Sequence, residues 1–169
     1  MSEQQVPSDD ELGVEAQSTA SMLLARQLAL AAAESCTGGW IAKLLTDIDG
    51  SSVWFQGSAV TYSNGAKQSL LDVAGTTLER HGAVSRECAL EMVAGALARF
   101  DASVAVAVTG IAGPTGGTPD RPVGTVWIAW RRRGEAAYAE IFRFQGDRDA
   151  VRRQAVAEAL AGVRRILRG

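Results

Sequence analysis

Between Leu28 and Gly39 the chain reads Leu-Ala-Leu-Ala-Ala-Ala-Glu-Ser-Cys-Thr-Gly-Gly, which packs two hydroxyls and a thiol into one sharp turn behind an uncharged run. Ser35 is the leading candidate for a nucleophile. A serine hydroxyl is weak alone and needs an adjacent base and a site for the developing oxyanion. The only histidine, His81, stands in a polar stretch before Gly82 and reads as a surface or capping residue, so a Ser-His-Asp triad is not expected. A Ser-Lys pair remains, in which a desolvated lysine of lowered pKa takes the serine proton. Lys43 and Lys67 are the only lysines. Lys43 falls one turn into the helix after Ser35 and reads as solvated. Lys67 follows Tyr62-Ser63-Asn64 at the end of a second strand, on Ser35's sheet edge if the two strands are parallel. Taken alone, each lysine reads as a surface charge. Cys36 is the alternative nucleophile, intrinsically more reactive and close to a helix start, or else a small core residue.

The residues around Ser35 suggest supporting roles. Thr37 reads as a helix N-cap, which leaves the N–H groups of Gly38 and Gly39 free for an oxyanion. Glu34 is placed to hold Lys67 or a substrate group, or simply to cap. Farther on, Thr109 to Val123 carries glycines at 110, 113, 116 and 117 and prolines at 114, 119 and 122. A long Gly/Pro loop after a buried strand reads as a binding loop. It lacks the Gly-Lys-Ser/Thr ending of a P-loop and the Gly-x-Gly-x-x-Gly spacing of a dinucleotide site, yet its N–H groups suit an anion nest. Arg148, in Phe144-Gln-Gly-Asp-Arg148, opens the last helix and is suited to grip a phosphate or carboxylate. Arg152, Arg153, Arg164, Arg165 and Arg168 read as that helix's outer face, with no ligand implied.

The elements that must position these groups follow from periodicity. Met1 to about Gly13 is polar and acidic and reads as a mobile tail; residues 14–169 read as a single domain. Ala20, Met22, Leu23, Leu24 and Leu28 fit a first helix from Val14, ended at Gln27. The uncharged run up to Glu34 reads as a strand buried on both faces. Trp40, Ile41, Leu44, Leu45 and Ile48 recur at helical spacing, and Asp49 to Ser52 is a loop. Val53 to Tyr62 reads as a second strand in which Gly57 marks a bulge or close approach. Ser63-Asn64 caps a short helix through Lys67, Leu70 and Leu71; Thr76 to His81 is a further helical turn. Ser85 caps a helix running from Cys88 to Phe100. Ser103 to Val108 is a third buried strand, Gly124 to Arg131 and Ala137 to Phe144 form a hairpin around Arg133-Gly134, and Asp147 to Leu167 is the closing helix. The order α-β-α-β-α-α-β-β-β-α predicts a three-layer α/β/α sandwich on a mixed, mainly parallel sheet of about five strands.

Composition bounds the function. With 169 residues, 47% of them hydrophobic and 21% charged, the chain suits a soluble globular domain with a full core. A formal net charge of −2 gives no basic field for nucleic acid. No apolar run approaches the ~20 residues that span a bilayer. Cys36 and Cys88 have no metal-ligand spacing, a disulfide between them stays open, and with no signal peptide a reduced cytoplasmic setting is the default. Trp127 and Trp130 read as core residues or, in one case, an interface residue.

Five separated motifs agree on a family. Glu34-Ser35-Cys36-Thr37-Gly38-Gly39, Tyr62-Ser63-Asn64-x-x-Lys67, Thr109-Gly-x-Ala-Gly-Pro-x-Gly-Gly117, Pro122-Val-Gly-Thr125 and Phe144-x-Gly-Asp-Arg148 resemble the CinA C-terminal domain family, in order from about Ala16 to Leu167. Its members include stand-alone nicotinamide-nucleotide amidases. The resemblance implies hydrolysis of nicotinamide mononucleotide to nicotinate mononucleotide and ammonia in pyridine nucleotide recycling, with no metal or cofactor, often in a homodimer. By that resemblance Ser35 is the nucleophile, Lys67 its general base and Tyr62 an aid to proton transfer. N–H groups near Thr37 and Gly38 form the oxyanion site; Thr109, Gly110, the loop glycines and Arg148 hold the ribose phosphate. Two alternatives stay open: a non-catalytic, competence-related nucleotide-binding module, and an amidase for another phosphorylated amide.

Overall fold

The computed structural model describes residues 5–169. Helix α1 (Asp9–Arg26) precedes strand β1 (Leu30–Glu34), helix α2 (Trp40–Thr46), a 3-10 turn at Ser51–Val53 and strand β2 (Phe55–Val60). Three helices follow, α3 (Asn64–Leu71), α4 (Gly75–His81) and α5 (Arg86–Arg99), then strands β3 (Val104–Gly110), β4 (Thr125–Arg132) and β5 (Tyr138–Arg143), and helix α6 (Arg148–Arg168). The sheet order is β2-β1-β3-β4-β5. β1 pairs in parallel with β2 and β3, and β4 runs antiparallel to both β3 and β5. Four of the five strands therefore point one way, and the sheet is mixed as expected.

The two sheet faces differ in side-chain size. The Val-Ala-Val-Ala-Val alternation of β3 turns valines toward α1, α2 and α6, alongside Leu30, Ile128 and Trp130. It turns alanines toward the other face, where Ala31, Ala33, Ala105, Ala107 and Ala129 meet the small residues of α5. Within that second layer α5 also sits tight on α3: a β-carbon on Gly95 would stand 2.2 Å from the Leu71 carbonyl oxygen. That close approach seats the short helix that carries Lys67. On the first face, Trp130 is buried under α6 and its Nε1–H donates to the Ala159 carbonyl at 2.9 Å, so the core reading of this residue holds.

Two boundaries differ from the sequence expectation. Helix α1 starts at Asp9 rather than near Val14. Ser8 and Glu11 form a capping box, and Asp9, Asp10 and Glu11 complement the positive end of the helix. Polarity there marks a helix start, not a tail; of the expected tail, residues 1–4 lie outside the described residues. Strand β2 begins at Phe55, because Val53 and Trp54 finish the 3-10 turn. The expected irregularity at Gly57 is present: the register jumps from Leu30↔Phe55 to Ala31↔Gly57, and a β-carbon on Gly57 would meet the Phe100 ring at 2.8 Å. Among the described residues no helix is long and apolar enough to cross a membrane.

Gly95→Ala forces its new methyl against backbone rather than a flexible side chain. It is expected to cost about 1–3 kcal/mol, read as a lower urea midpoint at an unchanged m-value.

Candidate active site

Strand β1 lies between β2 and β3; the chain passes from β1 to β2 through α2, then from β2 back across β1 to β3 through α3, α4 and α5. The carboxyl ends of these three parallel strands therefore open onto one crevice, the position where α/β sheets bind ligands. Ser35 follows β1 directly, and its N–H donates to the Val108 carbonyl at 3.0 Å. Thr61 and Tyr62 follow β2, while Thr109 and Gly110 end β3. A cavity of about 380 Å³ lies here. It is lined by Ser35, Cys36, Tyr62, Asn64, Lys67, Thr109, Gly110, Gly113, Gly116 and Arg148, all expected from sequence except Cys36's place on the wall.

Lys67 crosses from α3 to Ser35. The cap of that helix is Ser63, whose Oγ accepts from the Ala66 N–H at 3.1 Å. Lys67 is only 1% exposed, and its Nζ lies 3.0 Å from Ser35 Oγ, 2.8 Å from the Thr61 carbonyl and 3.4 Å from the Tyr62 carbonyl. Burial pushes the Lys67 amine below its ordinary value of 10.5. A neutral amine has two N–H donors and one lone pair. When Lys67 is neutral, the two N–H groups can serve the two carbonyls and the lone pair can face the Ser35 hydroxyl. Lys43 is exposed and paired with Asp47 at 2.5 Å. His81 is likewise exposed, 3.8 Å from Glu87.

Cys36 does not compete with Ser35. Burial pushes its thiol up to about 12, which keeps the thiolate away from neutral pH. Cys88 is a second buried free thiol.

Several residues assigned to the substrate lie elsewhere. The Glu34 carboxylate is fully buried and spent on protein: Oε1 accepts from Thr37 Oγ1 at 2.8 Å and the Ile41 N–H at 2.9 Å, while Oε2 accepts from Ser58 Oγ at 2.7 Å and the Ala42 N–H at 3.2 Å. Of its three expected roles it takes the cap, at the start of α2, and it touches neither Lys67 nor the cavity. Thr37 is not the N-cap. Its hydroxyl serves Glu34, and Gly39, at φ +96°, occupies the cap position. Gly38 and Gly39 face a separate cleft on the far side of the turn with Trp40 and Arg152. The Gly38 N–H is not free, since it donates to the Ser35 carbonyl at 3.0 Å. The Thr37 N–H, one residue earlier, donates to no protein acceptor among the described residues. Gly117 packs its Cα toward the Val123 backbone instead of the cavity.

The Tyr62 phenol is directed at Arg148, whose Nη2 donates to it at 3.1 Å; only the Tyr62 carbonyl approaches Lys67. Arg148 Nη1 also donates to the Gly113 carbonyl at 2.8 Å, so this guanidinium braces the glycine loop against Tyr62. Sequence reasoning missed Ala83 and Val84 on the wall, while Ile111, Ala112 and Thr115 line it from within the Thr109–Val123 stretch read as a binding loop. Ala83 is held by its carbonyl, which accepts from Thr109 Oγ1 at 2.8 Å. Small apolar residues before a capped helix carry no chemical signal, so only the fold reveals them. The outer-face reading of α6 also fails for three arginines. Arg152 donates to the Cys36 and Thr37 carbonyls, Arg153 to Asp9 and Asp149, and Arg164 to Glu15.

A family model described as the CinA C-terminal domain matches residues 14–167. The chain is 49% identical over 153 residues to a nicotinamide-nucleotide amidohydrolase PncC of Escherichia coli K12, covering 90% of this chain and 93% of that one. It is 49% identical over 141 residues to a CinA-like protein of Akkermansia muciniphila, of which it covers 34%. Among solved structures, a competence/damage inducible protein from Agrobacterium tumefaciens superposes with a TM-score of 0.90 at 40% identity, covering 98% of this chain and 99% of that one.

Lys67→Met removes the one buried amine. Because the folded-state pKa lies below 10.5, the unfolded chain binds the extra proton between those two values. Wild-type stability therefore gains with rising pH in that window. The expected result is that the stability of Lys67→Met relative to wild type falls as pH rises from 7 toward 10, measured by urea unfolding at each pH.

Proposed function

The chain belongs to the CinA C-terminal domain family, and on that footing we propose that it hydrolyses nicotinamide mononucleotide to nicotinate mononucleotide and ammonia. Ser35 acts as the nucleophile and Lys67 as its general base. The observation that carries this reading is the 3.0 Å contact between Ser35 Oγ and a buried Lys67 amine that has no carboxylate partner among the described residues. The 49%-identical PncC of Escherichia coli, matched over almost its whole length, supports the substrate.

In the first half-reaction Ser35 Oγ attacks the carboxamide carbon as its proton passes to Lys67 Nζ. The oxyanion that forms is met by the unspent Thr37 N–H beside the nucleophile. Collapse of the tetrahedral intermediate breaks the C–N bond, and Lys67 returns the proton to the departing amide nitrogen, giving ammonia and a Ser35 ester. Water then attacks that ester as Lys67 accepts its proton; Lys67 passes that proton to the departing Ser35 Oγ, and nicotinate mononucleotide leaves as the acid, which protonates ammonia in solution. Atoms balance as one amide and one water giving one acid and one ammonia.

The rest of the cavity suits a phosphorylated ligand. Arg148 is held by two neutral oxygens, and among the described residues no carboxylate lies within ion-pair distance of it. Its charge is thus available to a phosphate, beside Gly113 and Gly116 of the loop. Tyr62 orients that guanidinium and walls the cavity, a role in binding rather than in proton transfer.

Ammonia release from nicotinamide mononucleotide tests this. Ser35→Ala and Lys67→Ala are each expected to lower kcat by about 10³-fold or more while retaining the wild-type circular dichroism spectrum. Nucleotide binding without ammonia from wild type would overturn the assignment. In wild type, kcat/KM is expected to fall as pH drops through the depressed Lys67 pKa, since the protonated amine accepts nothing. A profile flat from pH 6 to 9.5 counts against Lys67 as the base.

A further inference from the structure

Arg152 is unlike the other basic residues of α6. Its partners are two consecutive backbone carbonyls of the turn that carries Ser35: Nε donates to Cys36 O at 3.0 Å and Nη2 to Thr37 O at 3.1 Å. The guanidinium also stacks on the Trp40 ring, 5.2 Å from its centroid, and Trp40 is the first residue of α2. It reaches this position from a helix more than a hundred residues later, and from outside the Ser35 cavity, whose wall it does not join.

A trans peptide sets its C=O and N–H in opposite directions. With the Cys36 carbonyl fixed on Arg152 Nε, the Thr37 N–H must point away from α6. With the Thr37 carbonyl fixed on Nη2, the Gly38 N–H is likewise turned back, where it meets the Ser35 carbonyl at 3.0 Å. The second of these two peptide planes is shared, because the Trp40 N–H also donates to the Thr37 carbonyl at 3.1 Å. Among the described residues Arg152 is the sole donor to the Cys36 carbonyl, and so alone sets the plane that carries the Thr37 N–H. Of the N–H groups of the two planes, the only one without a protein acceptor among the described residues is that of Thr37, two residues from the nucleophile. A lysine would bring one nitrogen to these carbonyls in place of the two nitrogens that the planar guanidinium holds at a fixed spacing.

We propose that Arg152 is a positioning residue that preorganises the Thr37 N–H as the oxyanion donor by fixing the Cys36 and Thr37 carbonyls from behind the nucleophile turn. This rests on Ser35 being the nucleophile, and its consequence is selective. Ground-state binding leaves the N–H little used, whereas the transition state depends on it. Losing the brace therefore lowers kcat rather than raising KM, and it leaves the Lys67 titration in place, because Lys67 is held by α3 and the end of β2.

The test uses Arg152→Ala and Arg152→Lys, with nicotinamide mononucleotide turnover read beside labelling of Ser35 by an alkyl fluorophosphonate, which forms an oxyanion-like transition state without needing the natural substrate. Expected for Arg152→Ala is a fall in kcat of about 10–100-fold with KM within threefold and the pH midpoint of kcat/KM unmoved. Fluorophosphonate labelling should slow in parallel, and millimolar guanidinium chloride should restore both rates in part. Arg152→Lys, which keeps the charge, is expected to show the same defect. Unchanged rates in both variants overturn the proposal. So does a loss confined to KM, a shifted pH midpoint, or a loss in Arg152→Ala that Arg152→Lys repairs fully. Wild type that takes the fluorophosphonate label but releases no ammonia refutes the substrate assignment alone; the labelling rates of the variants still decide the role of Arg152.

Discussion

The site depends on one buried anion. A carboxylate sealed from water must have its oxygens satisfied by the protein, and Glu34 meets this with four donors drawn from three segments: Thr37 in the turn, Ile41 and Ala42 at the start of α2, and Ser58 on β2. Those four bonds decide how the chain leaves β1. They hold the first turn of α2 beneath the strand and tie β2 to it, and Ser35, the next residue, has little freedom left. They also decide what Glu34 does not do. A carboxylate turned the other way would pair with the Lys67 amine and stabilise its charged form. With Glu34 fully occupied, Lys67 faces only carbonyls and a hydroxyl, and desolvation dominates its proton affinity.

The two halves of the sheet divide the labour. The parallel strands β2, β1 and β3 supply the nucleophile, the amine and the loop from their carboxyl ends. The β4–β5 hairpin carries no part of the cavity wall, but it provides the surface on which α6 lies, with Trp130 as its anchor. That helix then reaches back across the parallel half. Arg148 braces the glycine loop on the cavity side, and Arg152 braces the turn from behind.

Much of this arrangement was readable from residues alone. The β-α-β order, the Ser63 and Ser85 caps, the bulge at Gly57 and the hairpin all follow from local chemistry, because caps, turns and periodicity are short-range. The Ser35–Lys67 pair was readable only through the inference that β1 and β2 are parallel; each residue alone looked ordinary. What could not be read was direction. Glu34, Thr37, Gly38 and Gly39 sit in the right stretch, yet the chain turns their polar groups into α2 or toward the opposite cleft. The Glu34 and Thr37 side chains are turned by α2 and Ser58. The Cys36 and Thr37 carbonyls are instead held by Arg152 of a helix more than a hundred positions away, and the arginines of α6 show most clearly how distant partners decide direction. A charged residue every few positions on an amphipathic helix looks solvated until its carbonyl partners are known. The acidic start of α1 misled for a related reason, since three acids after a serine resemble a solvated tail as much as a capped helix.

Arg148 and Arg152 stand one turn apart on α6, about 6 Å along its axis. The loop and the nucleophile turn are therefore gauged against the same rigid rod, and the helix serves as a ruler for the width of the site. Such a ruler tolerates change in side chains far better than change in length. One residue inserted between the two arginines would swing the second by about 100° around the axis and release the turn while the loop stayed gripped. Over evolutionary time this part of the chain is free to vary in composition but not in count, whereas the loop it braces can lengthen so long as the Gly113 carbonyl stays within reach.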